Sequence, residues 1–132
     1  MAARILVVDD EPDVVELITF NLRMHGYEID SASNGLDALI KARRSPPDLI
    51  ILDIMMDGID GLNVCEILRA QPSTRAIPVI MVTAATGEIA RVNSFGSGAA
   101  DFLSKPFSPN DLLRRVAKLI DESARRTAAA DH

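Results

Sequence analysis

Acidic side chains stand where two short apolar runs of this chain end. Asp9 and Asp10 follow the apolar run at residues 5–8, and Asp53 follows a second run at 49–52. Carboxylates brought close together repel one another unless a cation lies among them. Hard oxygen ligands are the type that Mg²⁺ prefers in proteins. These three aspartates are therefore candidate ligands of a divalent cation.

A hydroxyl and an ammonium follow two further runs. Thr83 comes directly after the apolar run at 79–82, and Lys105 follows a weaker strand pattern at 101–104. Beside a bound cation, these two groups would suit a phosphoryl group. Each residue alone has an ordinary explanation, as a helix cap, a strand end or a solvated charge. Their joint occurrence, each directly after a predicted strand, favours a shared site.

The elements that must position these residues alternate between two patterns. Three runs are rich in β-branched residues and apolar at consecutive positions, which is typical of strands buried on both faces of a parallel sheet. They lie at 5–8, 49–52 and 79–82, with weaker strands at 28–32 and 101–104. Helical patterns follow at 11–25, 34–44, 62–68, 87–95 and from 108 onward. Five strand–helix units predict a doubly wound α/β domain that binds ligands at the carboxyl ends of its strands.

Apolar stripes indicate which helix faces should meet the core. The first helix carries Val14, Val15, Leu17, Ile18, Leu22 and Met24. The second carries Leu36, Leu39 and Ile40. The fifth has Ser108 as a cap and Pro109 in its first turn. We expect one domain over residues 1–122, and we expect 123–132, which lack an apolar stripe, to be a frayed end or the start of a linker.

Composition excludes several classes of protein. The chain has 132 residues, of which 48% are apolar and 25% charged, as in an ordinary globular domain. No apolar run approaches the ~20 residues of a membrane span, and no signal peptide is evident, so we expect a cytoplasmic protein without a membrane contact. The single cysteine, Cys65, excludes an internal disulfide, and we expect it to pack in the core. A net charge of −5 with no Trp argues against direct nucleic-acid binding by these residues.

An ordered set of short motifs resembles the receiver domain of two-component response regulators over about residues 4–121. The motifs are ILVVDDE at 5–11, PDLIILDIMM at 47–56, DG at 60–61, IPVIMVTA at 77–84 and GAADFLSKPF at 98–107. Each is short, but the set at these spacings is specific. The resemblance implies a five-stranded, flavodoxin-like sheet of order 2-1-3-4-5.

The resemblance also implies a signalling phosphoacceptor and not an enzyme with a separate substrate. Asp53 would accept a phosphoryl group from a phosphohistidine of a sensor histidine kinase or phosphotransfer protein. Asp10 and Asp53 would bind Mg²⁺ directly, Asp9 would act mainly through water, and the backbone carbonyl of Met55 would complete the protein ligands.

The remaining site residues are also implied by the resemblance. Thr83 would bond a phosphoryl oxygen, and Lys105 would pair with the phosphoryl group. The peptide bond between Lys105 and Pro106 would be cis. Phe102 stands at the place of the family's switching aromatic. Phosphorylation would move Thr83, let Phe102 rotate inward and shift the face formed by the fourth helix, fifth strand and fifth helix.

The C-terminal half is most similar to receivers of the winged-helix transcription-factor subfamily. The segment KPFSPNDLLRRV at 105–116 carries this likeness, together with the spacing of four charged residues. It implies control of a downstream output domain and a homodimer on phosphorylation. Ion pairs of Arg91 with Asp111 and of Asp101 with Arg115 would cross the dimer interface. The alternative is that these four are solvated surface charges.

Two departures bear on how the site would behave. Asp57 stands where the family commonly has Pro, four residues after the acceptor, which places another carboxylate near the predicted cation. Met55 and Ala85 stand two residues after Asp53 and Thr83, and neither side chain orients an attacking water well. We therefore predict slow self-dephosphorylation.

Three other functions fit the sequence less well. A metal-dependent phosphohydrolase would want a second Asp two residues after its nucleophile, where this chain has Met55. A phosphate-independent interaction module would tolerate loss of an acidic ligand or the lysine, and none is lost. A flavin carrier of the same topology would place a Ser/Thr-rich loop after its first strand, where Asp9 and Asp10 would repel a phosphate.

Overall fold

The computed structural model describes residues 2–85 and 87–130, and strands and helices alternate through them. In chain order the elements are β1 (Arg4–Val8), α1 (Pro12–Met24), β2 (Glu28–Ala32), α2 (Gly35–Arg44), β3 (Leu49–Leu52), α3 (Gly61–Ala70), β4 (Val79–Thr83), α4 (Glu88–Gly96), β5 (Asp101–Ser104) and α5 (Pro109–Ala130).

All four strand pairings are parallel, and the sheet order is β2-β1-β3-β4-β5. The predicted fold class and strand order are therefore confirmed. The central strands β1, β3 and β4 are buried almost throughout, as their unbroken apolar runs predict. Because parallel strands run in one direction, the residues after β1, β3, β4 and β5 emerge at one edge of the sheet.

Each face of the sheet has its own apolar core, because side chains alternate along every strand. The α1–α5 core contains Ile5, Val7, Ile18, Leu22, Leu49, Ile51, Ile80, Val82, Leu103, Leu112, Val116 and Leu119. The α2–α3 core contains Leu6, Val8, Ala32, Ala38, Leu39, Ala42, Ile50, Leu52, Met56, Val64, Cys65, Leu68, Ile77, Val79, Met81 and Ala99. Full burial of one large apolar side chain contributes about 1.5–3 kcal/mol. The expected packing of Cys65 is confirmed, and burial raises the pKa of its thiol.

The predicted apolar stripes of the first two helices are wider than the faces that they bury. On α1 the buried pair is Ile18 and Leu22, one turn apart. Four residues expected in the core are instead largely exposed, so their prediction was wrong: Leu17 (47%), Met24 (69%), Leu36 (61%) and Ile40 (47%). Leu17 and Met24 lie about 100° or more around α1 from the buried pair, which is too far to reach the sheet.

Side-chain caps begin three of the helices. Asn34 Oδ1 accepts from the Asp37 N–H at 2.8 Å, and Asp60 Oδ1 accepts from the Asn63 N–H at 2.9 Å. The predicted cap of α5 is present, since Ser108 Oγ accepts from an N–H in its first turn at 3.4 Å. A cap of this kind satisfies a backbone donor that has no partner within the helix.

Helix α5 runs on to Ala130, through most of the segment expected to be a frayed end or linker. Arg125 and Asp121, one turn apart, form an ion pair of 2.9 Å in this part. Alanine and arginine are good helix formers, so the helix needs no apolar stripe to continue. The domain boundary at 122 stays a prediction, and Asp131 and His132 of that tail lie outside the described residues. None of the helices described here has the length and apolar composition that crossing a membrane requires.

Candidate functional site

The carboxyl ends of β1 and β3 place Asp9 and Asp53 side by side. Val8 and Leu52 are partners in the parallel ladder, and the Asp53 N–H donates to the Val8 carbonyl at 3.0 Å. Both aspartates are buried, with 3% of each exposed. The sheet register therefore fixes the distance between these two carboxylates.

Four carboxylates converge at this edge. One oxygen from each of Asp9, Asp10, Glu11 and Asp53 lies within 4.8 Å of the others. The structure thus brings together the three predicted acidic ligands and adds Glu11. Glu11 follows the aspartate pair directly in sequence, and its contact with Lys105 also makes it a member of the site.

Lys105 reaches into this cluster from the opposite side. Its backbone N–H donates to the Thr83 carbonyl at 2.8 Å, which ties the start of the loop after β5 to the end of β4. Its Nζ lies 2.8 Å from Asp9 Oδ2, 3.1 Å from Asp53 Oδ2 and 3.1 Å from Glu11 Oε1. The Lys105–Pro106 peptide bond is cis, as the resemblance implies.

Both buried aspartates are held at each oxygen. Asp9 Oδ1 accepts from the Glu11 N–H at 2.9 Å, and Asp53 Oδ1 accepts from the Met55 N–H at 3.1 Å. The other oxygen of each carboxylate faces Lys105. The two carboxylates are therefore oriented before any ligand arrives.

The electrostatics of the cluster fit a divalent cation. Burial raises the pKa of Asp9, and the hydrogen bond from Lys105 only partly opposes this. Burial alone would lower the pKa of Lys105, but hydrogen bonds to Asp9, Asp53 and Glu11 outweigh it and raise that pKa, so the side chain stays an ammonium. Four carboxylates against one ammonium leave a formal excess of three negative charges. An oxygen donor set of this charge suits Mg²⁺.

Thr83 ends β4 with its side chain buried. Its Oγ1 accepts from the Ala85 N–H at 3.1 Å. The hydroxyl is therefore engaged locally, at the strand end that lies beside Lys105.

The loop after β3 passes very close to the backbone of Asp53. A Cβ on Gly61 would lie 2.1 Å from the Asp53 carbonyl oxygen, far inside van der Waals contact. The Gly61 N–H donates to the Ile54 carbonyl at 2.9 Å. The DG motif at 60–61 thus combines a cap for α3 with the one residue type that fits against the backbone of Asp53.

Comparison with known proteins assigns the fold and the motif set to one protein family. The family model of the response regulator receiver domain matches residues 5–117. The chain belongs to this family. The resemblance described from the motifs is therefore confirmed, and the chain is a receiver domain of two-component signalling.

Relatives of this receiver domain differ in the rest of their chains. It is 42% identical to the DNA-binding dual master transcriptional regulator RpaA of Synechocystis over 98% of its length and 54% of RpaA. It is 44% identical to the response regulator PleD of Caulobacter vibrioides over 98% of its length and 30% of PleD. The chain thus spans about half, or less, of these curated relatives.

A solved structure supports the same conclusion. The receiver domain superimposes on a CheY-like response regulator receiver domain protein from Methanospirillum hungatei with a TM-score of 0.89. The two are 27% identical, and the match covers 96% of this chain and 99% of the other.

The predicted switch residue of the receiver domain lies on the α2–α3 side of the sheet. Phe102 is partly buried and packs against the α2–α3 core, whereas the next residue, Leu103, belongs to the α1–α5 core. Asp57 is exposed and lines a shallow cavity with Asp10 and Met55, so the residue that replaces the usual Pro is close to the carboxylate cluster.

The four charged residues expected at a dimer interface lie on α4, β5 and α5. Arg115 pairs within the chain with Asp101 at 2.5 Å and with Asp111 at 3.3 Å. Asp111 also pairs with Arg114. The Arg91 guanidinium lies 5.6 Å from the centre of the Phe95 ring. The structure therefore pairs Asp101 with Arg115 inside a single chain, and the expected pairing between two chains stays a proposal.

Proposed function

We propose that this receiver domain is a phosphoacceptor that takes a phosphoryl group from a sensor histidine kinase or phosphotransfer protein onto Asp53. The observation that carries this proposal is the position of Lys105, whose ammonium touches Asp9 and Asp53 inside a cluster of four carboxylates. Transfer from a kinase that uses ATP would take place in the cytoplasm, so we also propose that location.

The residues present would divide the chemistry among them. Asp9, Asp10, Asp53 and the carbonyl of Met55 would hold Mg²⁺, which offsets the charge of an anionic donor. A carboxylate oxygen of Asp53 forms the new bond to phosphorus as the bond from phosphorus to the donor's histidine nitrogen breaks. Lys105 stabilises the charge on the moving phosphoryl group.

A conformational change would follow from the added charge. The Thr83 hydroxyl would leave the Ala85 N–H and bond a phosphoryl oxygen. Phe102, half-buried beside the α2–α3 core, would rotate further inward and change the surface formed by α4, β5 and α5. Such a change is a shift between two states, so a minor active-state population exists without phosphate.

The phosphoacceptor assignment is tested by incubation with Mg²⁺ and acetyl phosphate, followed by intact mass. The wild type should gain the mass of one phosphoryl group, and Asp53→Asn should gain none. Asp57→Asn is the matched control, because it removes an exposed carboxylate from the same loop and leaves Asp53 in place. Equal uptake by wild type and Asp53→Asn would contradict the assignment.

We also propose that phosphorylation promotes a homodimer through α4, β5 and α5, controlling an output domain or partner. Arg91 would pair with Asp111, and Asp101 with Arg115, across the interface. Exposed ion pairs are worth only about 0.2–1 kcal/mol each, so they would set register more than affinity. Two exposed apolar residues of α4 would supply contact area, namely Ile89 and Val92.

Sedimentation with and without beryllofluoride and Mg²⁺ tests the dimer. A larger species should form only with beryllofluoride, and Arg115→Ala should weaken it. An unchanged monomer would remove this part of the proposal. RpaA is named as a DNA-binding regulator, but with a net charge of −5 we propose that this domain itself does not bind nucleic acid.

A further inference from the structure

Glu11 uses its carboxylate on a distant lysine and not on its own helix. It occupies the N-cap position of α1, where a short polar side chain commonly accepts from a backbone N–H of the first turn. No such side-chain cap is formed here. Instead Glu11 Oε1 lies 3.1 Å from the Nζ of Lys105, 94 residues away in sequence.

The three carboxylates around Lys105 differ in how firmly they are held. Asp9 and Asp53 each have 3% of the side chain exposed and a second hydrogen bond from a backbone N–H. The Glu11 side chain is 59% exposed, and its contact with Lys105 is the one hydrogen bond that its carboxylate makes in the described part of the chain. Glu11 is therefore the partner that can release the Lys105 ammonium without leaving a buried carboxylate unpaired.

A phosphoryl group on Asp53 would change the competition for this ammonium. The cation would occupy the carboxylates of Asp9, Asp10 and Asp53, which would leave Glu11 as the carboxylate that still attracts Lys105. The Lys105 ammonium would then bond either the exposed Glu11 carboxylate or the oxygens of the new phosphoryl group. Loss of the Glu11 charge would remove one side of this competition.

We propose that Glu11 is a positioning residue that holds the Lys105 ammonium in the unphosphorylated receiver domain and competes with the phosphoryl group for it. The proposal rests on the phosphoacceptor function of Asp53 and refines it. In this proposal, the bond between Glu11 and Lys105 slows phosphoryl uptake by the unphosphorylated domain. Neither the aspartates nor Thr83 has this effect.

Phosphoryl uptake from acetyl phosphate and Mg²⁺ gives the first test. Glu11→Gln keeps the shape of the side chain and should raise the rate about two- to fivefold, the factor that one exposed ion pair is worth. Glu16→Gln is the matched control, since Glu16 is exposed on α1, lines the cavity beside Asp9 and Asp10, and lies outside the contacts of Lys105. An equal rise in both variants would show a general charge effect and overturn the proposal, as would no rise in Glu11→Gln.

NMR of lysine side-chain ¹⁵Nζ gives a readout that needs no phosphate and no Mg²⁺. The chain has three lysines, and Lys105→Arg assigns the resonance. Glu11→Gln should shift the Lys105 resonance, and Glu16→Gln should leave it in place. An unmoved resonance with normal phosphoryl uptake would overturn the role of Glu11 alone. A wild-type chain that takes up no phosphoryl group would overturn the phosphoacceptor function, and this proposal with it.

Discussion

Arg69 of α3 bonds backbone carbonyls in the α3–β4 connection and in the turn between α4 and β5. Replacing it tests how much these bonds stabilise the fold. Its guanidinium donates to the carbonyls of Gly98 at 3.0 Å, Arg75 at 2.9 Å and Ile77 at 2.6 Å, with a longer contact to Thr74 at 3.4 Å. These carbonyls belong to the α3–β4 connection and to the turn between α4 and β5. One side chain of α3 therefore fixes both.

The expected cost follows from the number and type of these bonds. A hydrogen bond to a charged group contributes about 1.5–3 kcal/mol, but bonds made by one side chain are not additive. Since Arg69 is only partly buried, Arg69→Met should lower the free energy of unfolding by about 2–4 kcal/mol. Arg69→Lys keeps the charge but loses the planar fork, so it should lose roughly half of that.

Urea denaturation followed by far-UV circular dichroism measures these values. Arg75→Met is the matched control, because the Arg75 side chain is exposed on the same connection and only its carbonyl contacts Arg69. It should change stability by less than about 0.5 kcal/mol. Similar losses in Arg69→Met and Arg75→Met would refute the reasoning.

Three further predictions concern the acceptor loop, the α5 charges and the lifetime of the phosphorylated form. Gly61→Ala should lower both urea stability and phosphoryl uptake, because its Cβ would overlap the Asp53 carbonyl; normal values for both would contradict the close approach. Hydrogen bonds led by that from Arg114 lower the pKa of Asp111, so its stabilisation is present at neutral pH and lost as the pH falls through that lowered pKa. The stability gap between wild type and Asp111→Asn should therefore narrow in acid, and a constant gap would argue against the ion pair. Because Met55 offers no polar group to an attacking water, loss of radiolabel from the isolated phosphoprotein should take minutes or longer, and a lifetime of seconds would count against this.

The parallel α/β fold and the meeting of the carboxylates could be predicted from sequence because both depend on short-range patterns, whereas the sheet order came from the family resemblance. Unbroken apolar runs at 5–8 and 49–52 identify central parallel strands, and the residues that follow such strands necessarily share an edge. Asp9, Asp53 and Lys105 therefore follow from chain order alone. No precise side-chain geometry is needed for that step.

The parts that could not be predicted depend on which side chain reaches which distant group. The Glu11 contact with Lys105 spans 94 residues, and that of Arg69 with Gly98 spans 29. Both contacts depend on side-chain rotamers that are set by the folded backbone, and no spacing pattern in the sequence predicts them. The same limit explains the wrong prediction that Leu17 is in the core. The sequence shows that the residue is apolar, but it does not show at which angle the helix packs on the sheet.

Phe102 and Leu103 are neighbours in sequence, yet the sheet separates their environments. In the proposed switch, a turn of the Phe102 ring would change contacts with the α2–α3 core, while Leu103 would keep β5 packed against the α1–α5 core. The strand would then change the surface that it presents to a partner without losing its packing on the other face of the sheet. A switch of this kind would leave the α1–α5 core packed as before, so the proposed signal would not require that core to loosen.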